Sequence, residues 1–173
     1  AALAGERVVL VEAPGAPGGL RESMEEGLAH AGAEVTGRVA LTERYLAADQ
    51  APLLTEVAAA VKPPEMTFAE EATAHDKAAA VLASALVTTD RVQLDKDNPA
   101  GRGVLDAFQR EGLIDVDGDP ARRATLALMF APVRPYEEED ARTRTTALVS
   151  LASWLDAGGQ GTVRVGFGQV ARR

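Results

Sequence analysis

The chain of 173 residues contains no cysteine. This absence excludes disulfide bonds, thiolate nucleophiles, and zinc or iron–sulfur sites built on cysteine. Aromatic residues are also scarce, at 4% of the chain, so alanine, valine and leucine must fill most of the core. The apolar fraction of 46% is nevertheless that of an ordinary globular protein. We therefore expect a folded domain and not a disordered chain.

Two further features are missing, a net positive charge and a long hydrophobic run. The formal net charge of −8 argues against a nucleic-acid partner, because phosphate binding needs clustered basic groups, and it disfavours adsorption to anionic lipid. The longest apolar run, Ala78 to Val87, is far shorter than the roughly 20 residues that span a bilayer. Since no signal segment begins at Ala1, we expect a soluble piece of a longer chain.

The sequence begins with a strand–loop–helix unit. Arg7 to Leu20 is an apolar, β-branched run that breaks at a Pro/Gly-rich turn and continues into a helical pattern. From Glu34 to Leu41 the apolar residues alternate, which predicts a half-buried strand with Val35 and Val39 on one face. Two parallel strands joined by one helix form a right-handed βαβ unit.

Three helices are predicted between this unit and the next strand. The first follows Asp49 and stops at Pro63-Pro64, since neither proline can donate the N–H that a helix needs. The second opens at Thr67-Phe-Ala-Glu70, which has the spacing of a capping box, and it places His75 on its apolar stripe. The third opens at Asn98-Pro99, a cap followed by a first-turn proline.

The second half of the chain adds strands and a long helix. A short strand starts at Leu113, and the apolar run from Thr125 to Ala131 is typical of a central strand covered on both faces. A helix begins near Glu137, and a last strand spans Thr162 to Phe167. The inner face of that helix is predicted to be Leu148, Leu151, Ala152 and Leu155. The whole order predicts a single three-layer α/β domain over residues 1–173, with a mainly parallel sheet of about four to five strands and helices on both faces.

The Ala13–Gly19 loop lies where α/β proteins bind ligands, beyond the carboxyl end of the first strand. It matches neither Gly-x-Gly-x-x-Gly nor the Walker pattern, which needs Gly-Lys-Ser/Thr at the helix start. Pro14 and Pro17 also remove two backbone N–H donors that a phosphate cradle would use. We interpret the loop as a structural turn, and the alternative is the substrate crevice of an enzyme.

No other motif carries catalytic chemistry, so we predict no catalytic residue, no cofactor-binding residue and no cofactor. Asp115, Asp117 and Asp119 alternate like the start of a calcium loop but lack its glycine and its glutamate at the required positions. The metal alternative is Glu71 with His75, because i, i+4 spacing on a helix would bring these two ligands together. The simpler interpretation of His75 is a hydrogen-bonded packing residue.

A set of ordered stretches resembles the extracytoplasmic domain of the actinobacterial copper transporter family MctB, also called SteB. The stretches are Leu3-Ala-Gly-Glu-Arg-Val-Val-Leu10, Ala31-Gly-Ala-Glu-Val-Thr-Gly-Arg-Val-Ala-Leu-Thr42, Leu82-Ala-Ser-Ala-Leu86, Val104-Leu105 to Gly112-Leu-Ile114, and Gly159-Gln-Gly-Thr162. The resemblance covers most of the chain and rests on structural residues. It offers no catalytic motif.

The resemblance implies a longer parent protein, with a transmembrane helix, a coiled-coil stalk and this domain outside the cytoplasmic membrane. It also implies a role in copper export, or in the control of cell separation with a partner protein, SteA. The stalk would favour a homodimer. A Gly/His-rich tail that could bind copper is missing from the sequence.

Three hypotheses of function follow from the residues and the resemblance together. The first is a non-catalytic, membrane-anchored envelope module that works by assembly and by binding an envelope or cell-division protein. The second is a domain that itself binds copper, for which three separated methionines are the only source of the soft sulfur that Cu(I) prefers. The third is an enzyme with its substrate crevice at Ala13–Gly19.

Overall fold

The computed structural model describes residues 2–166 and 169–172. The helices and strands are, in chain order, β1 (Arg7–Glu12), α1 (Gly18–His30), β2 (Glu34–Leu41), α2 (Glu43–Leu46), α3 (Ala51–Val61), α4 (Ala74–Leu86), α5 (Pro99–Arg110), β3 (Ile114–Gly118), β4 (Leu126–Phe130), α6 (Ala141–Gly158), β5 (Gly161–Gly166) and β6 (Gln169–Arg172). Single turns of 3-10 helix lie at Ala48–Gln50, Arg91–Gln93 and Pro120–Arg122. No helix in the described part of the chain combines the length and the apolar character needed to cross a bilayer.

The strands form one six-stranded sheet in the order β3-β2-β1-β4-β5-β6. The central strands β2, β1, β4 and β5 are parallel, whereas the edge strands β3 and β6 pair antiparallel with their neighbours. The predicted strands correspond to β1 to β5, so the prediction of a mainly parallel α/β sheet is confirmed, and β6 extends it at one edge. Phe167, the predicted end of the last strand, lies outside the described residues.

The two faces of the sheet bury two separate groups of apolar side chains. On β1, Val9 and Val11 belong to a larger core, whereas Val8 and Leu10 belong to a smaller one, as the two-residue period of a strand requires. Helices α3, α4, α5 and α6 all contribute buried residues to the larger core. Helix α1 packs on the smaller core with partly buried side chains. Helices on both faces are therefore confirmed, but their cover is unequal.

A bulge in β2 interrupts the alternation of its side chains. The register with β1 shifts between Val35 and Gly37, so Val35 packs on the smaller core and Val39 on the larger one. The prediction that these two valines share a face is therefore wrong. Glycine is needed at position 37, because a Cβ on Gly37 would lie only 2.6 Å from the carbonyl oxygen of Asp117.

Helix α4 lies at the centre of the helical layer, where 9 of its 13 residues are buried. It begins at Ala74, and Thr73 is its N-cap. The Thr73 hydroxyl accepts a hydrogen bond from the Asp76 N–H at 3.1 Å, and the Asp76 carboxylate accepts one from the Thr73 N–H at 3.2 Å. The predicted start at Thr67 is wrong. The capping box at Thr73 is also held from outside the helix, because the Ser150 hydroxyl of α6 donates to the Asp76 carboxylate at 2.7 Å.

The other helix boundaries are closer to the predictions. Asn98 caps α5, since its side-chain oxygen accepts a hydrogen bond from the Gly101 N–H at 3.1 Å and Pro99 lies in the first turn. Helix α6 begins at Ala141 and not near Glu137, because the segment before it contacts the loop after β1. The four predicted inner residues of α6 are all buried.

Candidate functional site

The crevice at the carboxyl ends of β1 and β4 is where a doubly wound sheet binds a ligand, because the connections from these two strands leave in opposite directions. Here the loop that follows β1 is hydrogen-bonded both to the end of β4 and to the loop that follows β4. The Ala13 N–H donates to the carbonyl of Phe130 at 2.9 Å, and the Val133 N–H donates to the carbonyl of Gly15 at 3.1 Å. A Cβ on Gly15 would lie 3.4 Å from that of Pro132. The loops themselves therefore occupy this end of the sheet.

A buried arginine stabilises the same end of the sheet. Arg144 of α6 is 8% exposed. It pairs with Asp140 at 2.7 Å and also with Glu43, which follows β2. Its guanidinium carbon lies 6.0 Å from the centre of the Tyr136 ring, and the Tyr136 hydroxyl donates to the carbonyl of Pro14 at 2.9 Å. A hydrogen bond from a backbone N–H, together with the pair to Arg144, lowers the pKa of Asp140. These carboxylates are ion-pair partners that hold the loops in place.

His75 is buried at the start of α4, with 7% of its surface exposed. Its Nε2 lies 2.7 Å from the carbonyl oxygen of Tyr45, and since a carbonyl can only accept, Nε2 carries the proton and donates. The two rings meet edge to face at a centroid distance of 5.7 Å. Burial lowers the pKa of His75, so the ring is a neutral, hydrogen-bonded packing group.

Glu71 does not share a helix with His75. It is exposed in the turn before α4, so the predicted placement of both residues one turn apart on the same helix is wrong. Asp115 and Asp117 lie on the edge strand β3, where Asp117 pairs with Arg38 of β2. Within the described residues, no three His, Asp or Glu side chains are grouped so that they could hold a metal ion.

The methionines lie in three different places. Met24 of α1 packs on the smaller core, and Met129 of β4 is buried in the larger core. Met66 is in the loop between α3 and α4 and packs on the larger core. The thioethers of Met24 and Met129 are therefore on opposite faces of the sheet and cannot join in one copper site.

An elongated apolar groove runs along the surface of the helical layer, between α4, α6 and the loop that joins α3 to α4. Two adjoining cavities of about 350 and 220 Å³ form it, and both are lined by Met66, Ala80 and Trp154. Phe68 lines one end of the groove and Val87 the other. We call this surface the Trp154 groove.

Trp154 is the only tryptophan in the chain and is 44% exposed. Its neighbours Leu151 and Leu155 are buried on the inner face of α6. No sequence motif contains Trp154, and the inner apolar stripe of the helix passes beside it. The available signal is the occurrence of a single tryptophan at the border of an apolar stripe in a chain with few aromatic residues.

Comparison with family models gives a match over nearly the whole chain. Residues 1–172 match the family described as "Copper transport outer membrane protein, MctB". No curated protein matches the chain. The family match agrees with the resemblance of the ordered stretches from Leu3 to Thr162 and confirms it. It applies to the same residues that form the sheet, the helical layer and the Trp154 groove.

Proposed function

We propose a function from one premise: the chain belongs to the family of copper transport outer membrane proteins named MctB. It is thus a copper-transport-related envelope protein. Within that role, we place it as a non-catalytic extracytoplasmic module of a membrane-anchored parent. Its work is to bind a protein partner, of the SteA type or another envelope or cell-division protein, and to assemble as a homodimer.

The observation that supports a non-catalytic role is the state of the crevice between β1 and β4. An enzyme of this fold class needs free backbone donors and convergent side chains at that place. In this molecule the Ala13 N–H donates to the last residue of β4, the Val133 N–H donates to the loop after β1, and the Tyr136 hydroxyl donates to the Pro14 carbonyl. The polar groups at this crevice thus stabilise the fold.

The donor chemistry supports a role in copper transport without a copper site in this domain. Cu(I) prefers thiolate and thioether sulfur, and the chain has no cysteine and three methionines. Two of the methionines, Met24 and Met129, lie on opposite faces of the sheet. The His75 ring, the main nitrogen alternative, is buried and its Nε2 donates to a backbone carbonyl.

Copper titration tests this part of the proposal. We expect the 173-residue chain to show no stoichiometric binding of Cu(I), measured by competition with a chromophoric Cu(I) chelator, or of Cu(II), measured by calorimetry. The matched variants are His75→Gln, which keeps an N–H donor for Tyr45, and Met66→Leu, which keeps the volume of the side chain. Tight one-to-one binding that either variant abolishes would show that the domain itself carries copper.

The partner-binding part is tested in cells that contain the full-length parent. We expect deletion of this domain to impair copper tolerance or cell separation while the parent remains in the membrane. Tyr136→Phe removes the hydroxyl bond between the loops that follow β1 and β4. A parent with this variant should retain function, because those loops make no contact with substrate in this proposal. Loss of function in Tyr136→Phe with an intact fold would favour the enzyme alternative.

A further inference from the structure

We propose that the Trp154 groove is the docking surface for a basic amphipathic helix of the partner. The inference rests on the proposed function, because it names the surface through which the domain would bind a protein. It is supported by the shape of the groove, by the exposure of its apolar side chains, and by the charges around it.

The dimensions of the groove fit a helix. Its two cavities extend along α4 from Asp76 and reach Val87, the residue after the helix end. At 1.5 Å per residue this is about 16 Å, or three helical turns. Trp154 lines both cavities, so they form one continuous surface. Three turns present apolar side chains at i, i+3 or i+4, and i+7 to one groove, and this is how amphipathic helices bind.

The apolar side chains of the groove are ready for burial by a partner. Trp154 is 44% exposed, and Met66 and Phe68 are half-buried beside it. Small residues of α4, such as Ala80 and Ala83, also line the groove. Tryptophan seated among small and flexible apolar groups is the kind of anchor that dominates binding energy at protein interfaces.

The charges around the groove select a basic partner. Glu65, Glu70 and Glu71 are exposed on the loop at the Phe68 end, and in the part of the chain that the structure describes none of them forms an ion pair. These carboxylates would meet Lys or Arg side chains that flank the apolar stripe of a docked helix.

The two lysines near the groove are already engaged by the loop. The Lys62 ammonium donates to the Met66 carbonyl at 2.6 Å and lies 6.0 Å from the centre of the Phe68 ring. The Lys77 ammonium lies 5.8 Å from the same ring. Both cations lie against the Phe68 ring, and Lys77 also lines the groove together with Glu71 and Asp76. With Glu65 and Glu70 exposed on the same loop, negative charge is in excess at this end of the groove.

Two other occupants fit these charges less well. A second copy of this chain has a net charge of −8. It would be repelled by the glutamates beside the groove unless the surface that it presents carries clustered basic groups. An anionic lipid surface would meet the same repulsion. Both are outcomes of the experiment below.

The experiment uses three synthetic helical peptides of about four turns, stapled so that helix formation costs little affinity. One has leucines at i, i+3, i+4 and i+7 flanked by Lys and Arg, one has the same leucines flanked by Glu, and one has the first composition in scrambled order. Binding is measured by anisotropy of a labelled peptide and by the emission of Trp154, the only tryptophan. We expect the basic peptide to shift that emission to the blue and to bind at least tenfold more tightly than the other two.

Variants of the chain locate the binding surface. Trp154→Ala should weaken the basic peptide at least tenfold, whereas Val149→Ala, equally 44% exposed on the same helix but outside the groove, should change its affinity less than twofold. The double variant Glu70→Gln, Glu71→Gln should weaken binding severalfold and reduce its dependence on salt. This second variant alters only exposed side chains, so it keeps the test valid if Trp154→Ala disturbs the fold.

Several outcomes would overturn the inference. With the peptides, these are binding of the Glu-flanked peptide as tight as that of the basic peptide, or no binding of any peptide. With the variants, it is an equal loss of peptide affinity in Trp154→Ala and Val149→Ala. For the other occupants, they are self-association in sedimentation, or adsorption to anionic vesicles, that Trp154→Ala abolishes. In cells, a parent with Trp154→Ala that works normally, beside a domain deletion that does not, would reject the groove and leave the proposed function standing.

Discussion

At the scale of single residues, the buried His75 and the neighbouring, partly buried Asp76 are two groups whose protonation is linked to folding. His75 is neutral because burial lowers its pKa below the ordinary value of 6.5. The Asp76 carboxylate is ionised, since the hydrogen bond from the Ser150 hydroxyl lowers its pKa below 3.8. As the pH falls, the contribution of His75 to stability therefore begins to decrease near 6.5, and that of Asp76 begins to decrease near 3.8.

The first prediction concerns His75 and the pH dependence of stability. Because its pKa is lower in the folded chain, the unfolded chain binds the proton more readily once the pH falls below about 6.5. The contribution of neutral His75 is complete above that pH and is lost as the pH falls toward the folded pKa, by at most about 1.4 kcal/mol per pH unit. We expect the free energy of unfolding by urea to decrease from pH 7 to pH 5, and His75→Gln to flatten that decrease.

His30 provides the matched control for this measurement. It is exposed at the end of α1, so His30→Gln removes the other histidine of the chain without altering the core and is measured beside His75→Gln. A wild-type profile that is flat between pH 5 and pH 7, or one that His75→Gln leaves as steep, would contradict the assignment of the effect to His75.

Residues differ in how well the sequence predicts their surroundings. The packing role of His75 is predictable, because a lone histidine at a helix boundary is more often a hydrogen-bonded packing residue than a metal ligand. The role of Gly37 could not be predicted, because a bulge depends on the turn near Asp117 that docks against it. The surroundings of Trp154 are not predictable for a related reason, since they depend on the loop carrying Met66 and Phe68 and not on the pattern of α6 alone.

At the scale of elements, the start of α4 allows a direct test of two competing capping boxes. Thr73→Ala removes the hydroxyl that accepts from the Asp76 N–H, and we expect it to lower the free energy of unfolding by about 1 kcal/mol. Thr67→Ala, at an exposed loop position outside any helix, should change it by less than about 0.5 kcal/mol. Both free energies are measured by denaturant unfolding. A larger loss in Thr67→Ala than in Thr73→Ala would contradict the helix start at Thr73 and favour the capping box at Thr67.

Element types were predicted better than element ends. The strands β1 to β5 and the helices α1, α3, α4, α5 and α6 all follow from apolar periodicity. The ends that were wrong are those decided by contacts from other elements. Ser150 of α6 selects the capping box at Thr73, and the bond from Tyr136 to Pro14 keeps the segment before Ala141 outside α6. Such contacts join residues far apart in sequence, so local patterns do not contain them.

At the scale of the whole molecule, the order of elements was enough to predict a mainly parallel sheet with helices on both faces. The distribution of helices between the faces is not predictable. Helices α3, α4 and α5 all belong to one long connection between β2 and β3, and no local sequence pattern indicates on which face of the sheet they pack. All of these helices contribute to the larger core. The smaller core has α1, and the Trp154 groove lies on the opposite, helix-rich side.

This unequal cover predicts that the two faces open at different free energies. None of the residues of α1 is fully buried, whereas α4 has 9 buried residues. Detachment of α1 exposes its own partly buried side chains, such as Leu20, Met24 and Leu28, and the four buried strand residues beneath them, Val8, Leu10, Leu128 and Phe130. The larger core stays covered, so this opening should require less free energy than global unfolding. In native-state hydrogen exchange under increasing urea, we expect the α1 amides to exchange through an opening whose free energy is at least about 2 kcal/mol below that of α4. This opening should also depend more weakly on urea.

The β1 amides are the control, since β1 is paired on both sides by β2 and β4, and they should exchange through the same opening as the α4 amides. If α1 instead shares the free energy and the urea dependence of α4, the smaller core is an integral part of one cooperative unit, and the unequal burial has no consequence for opening.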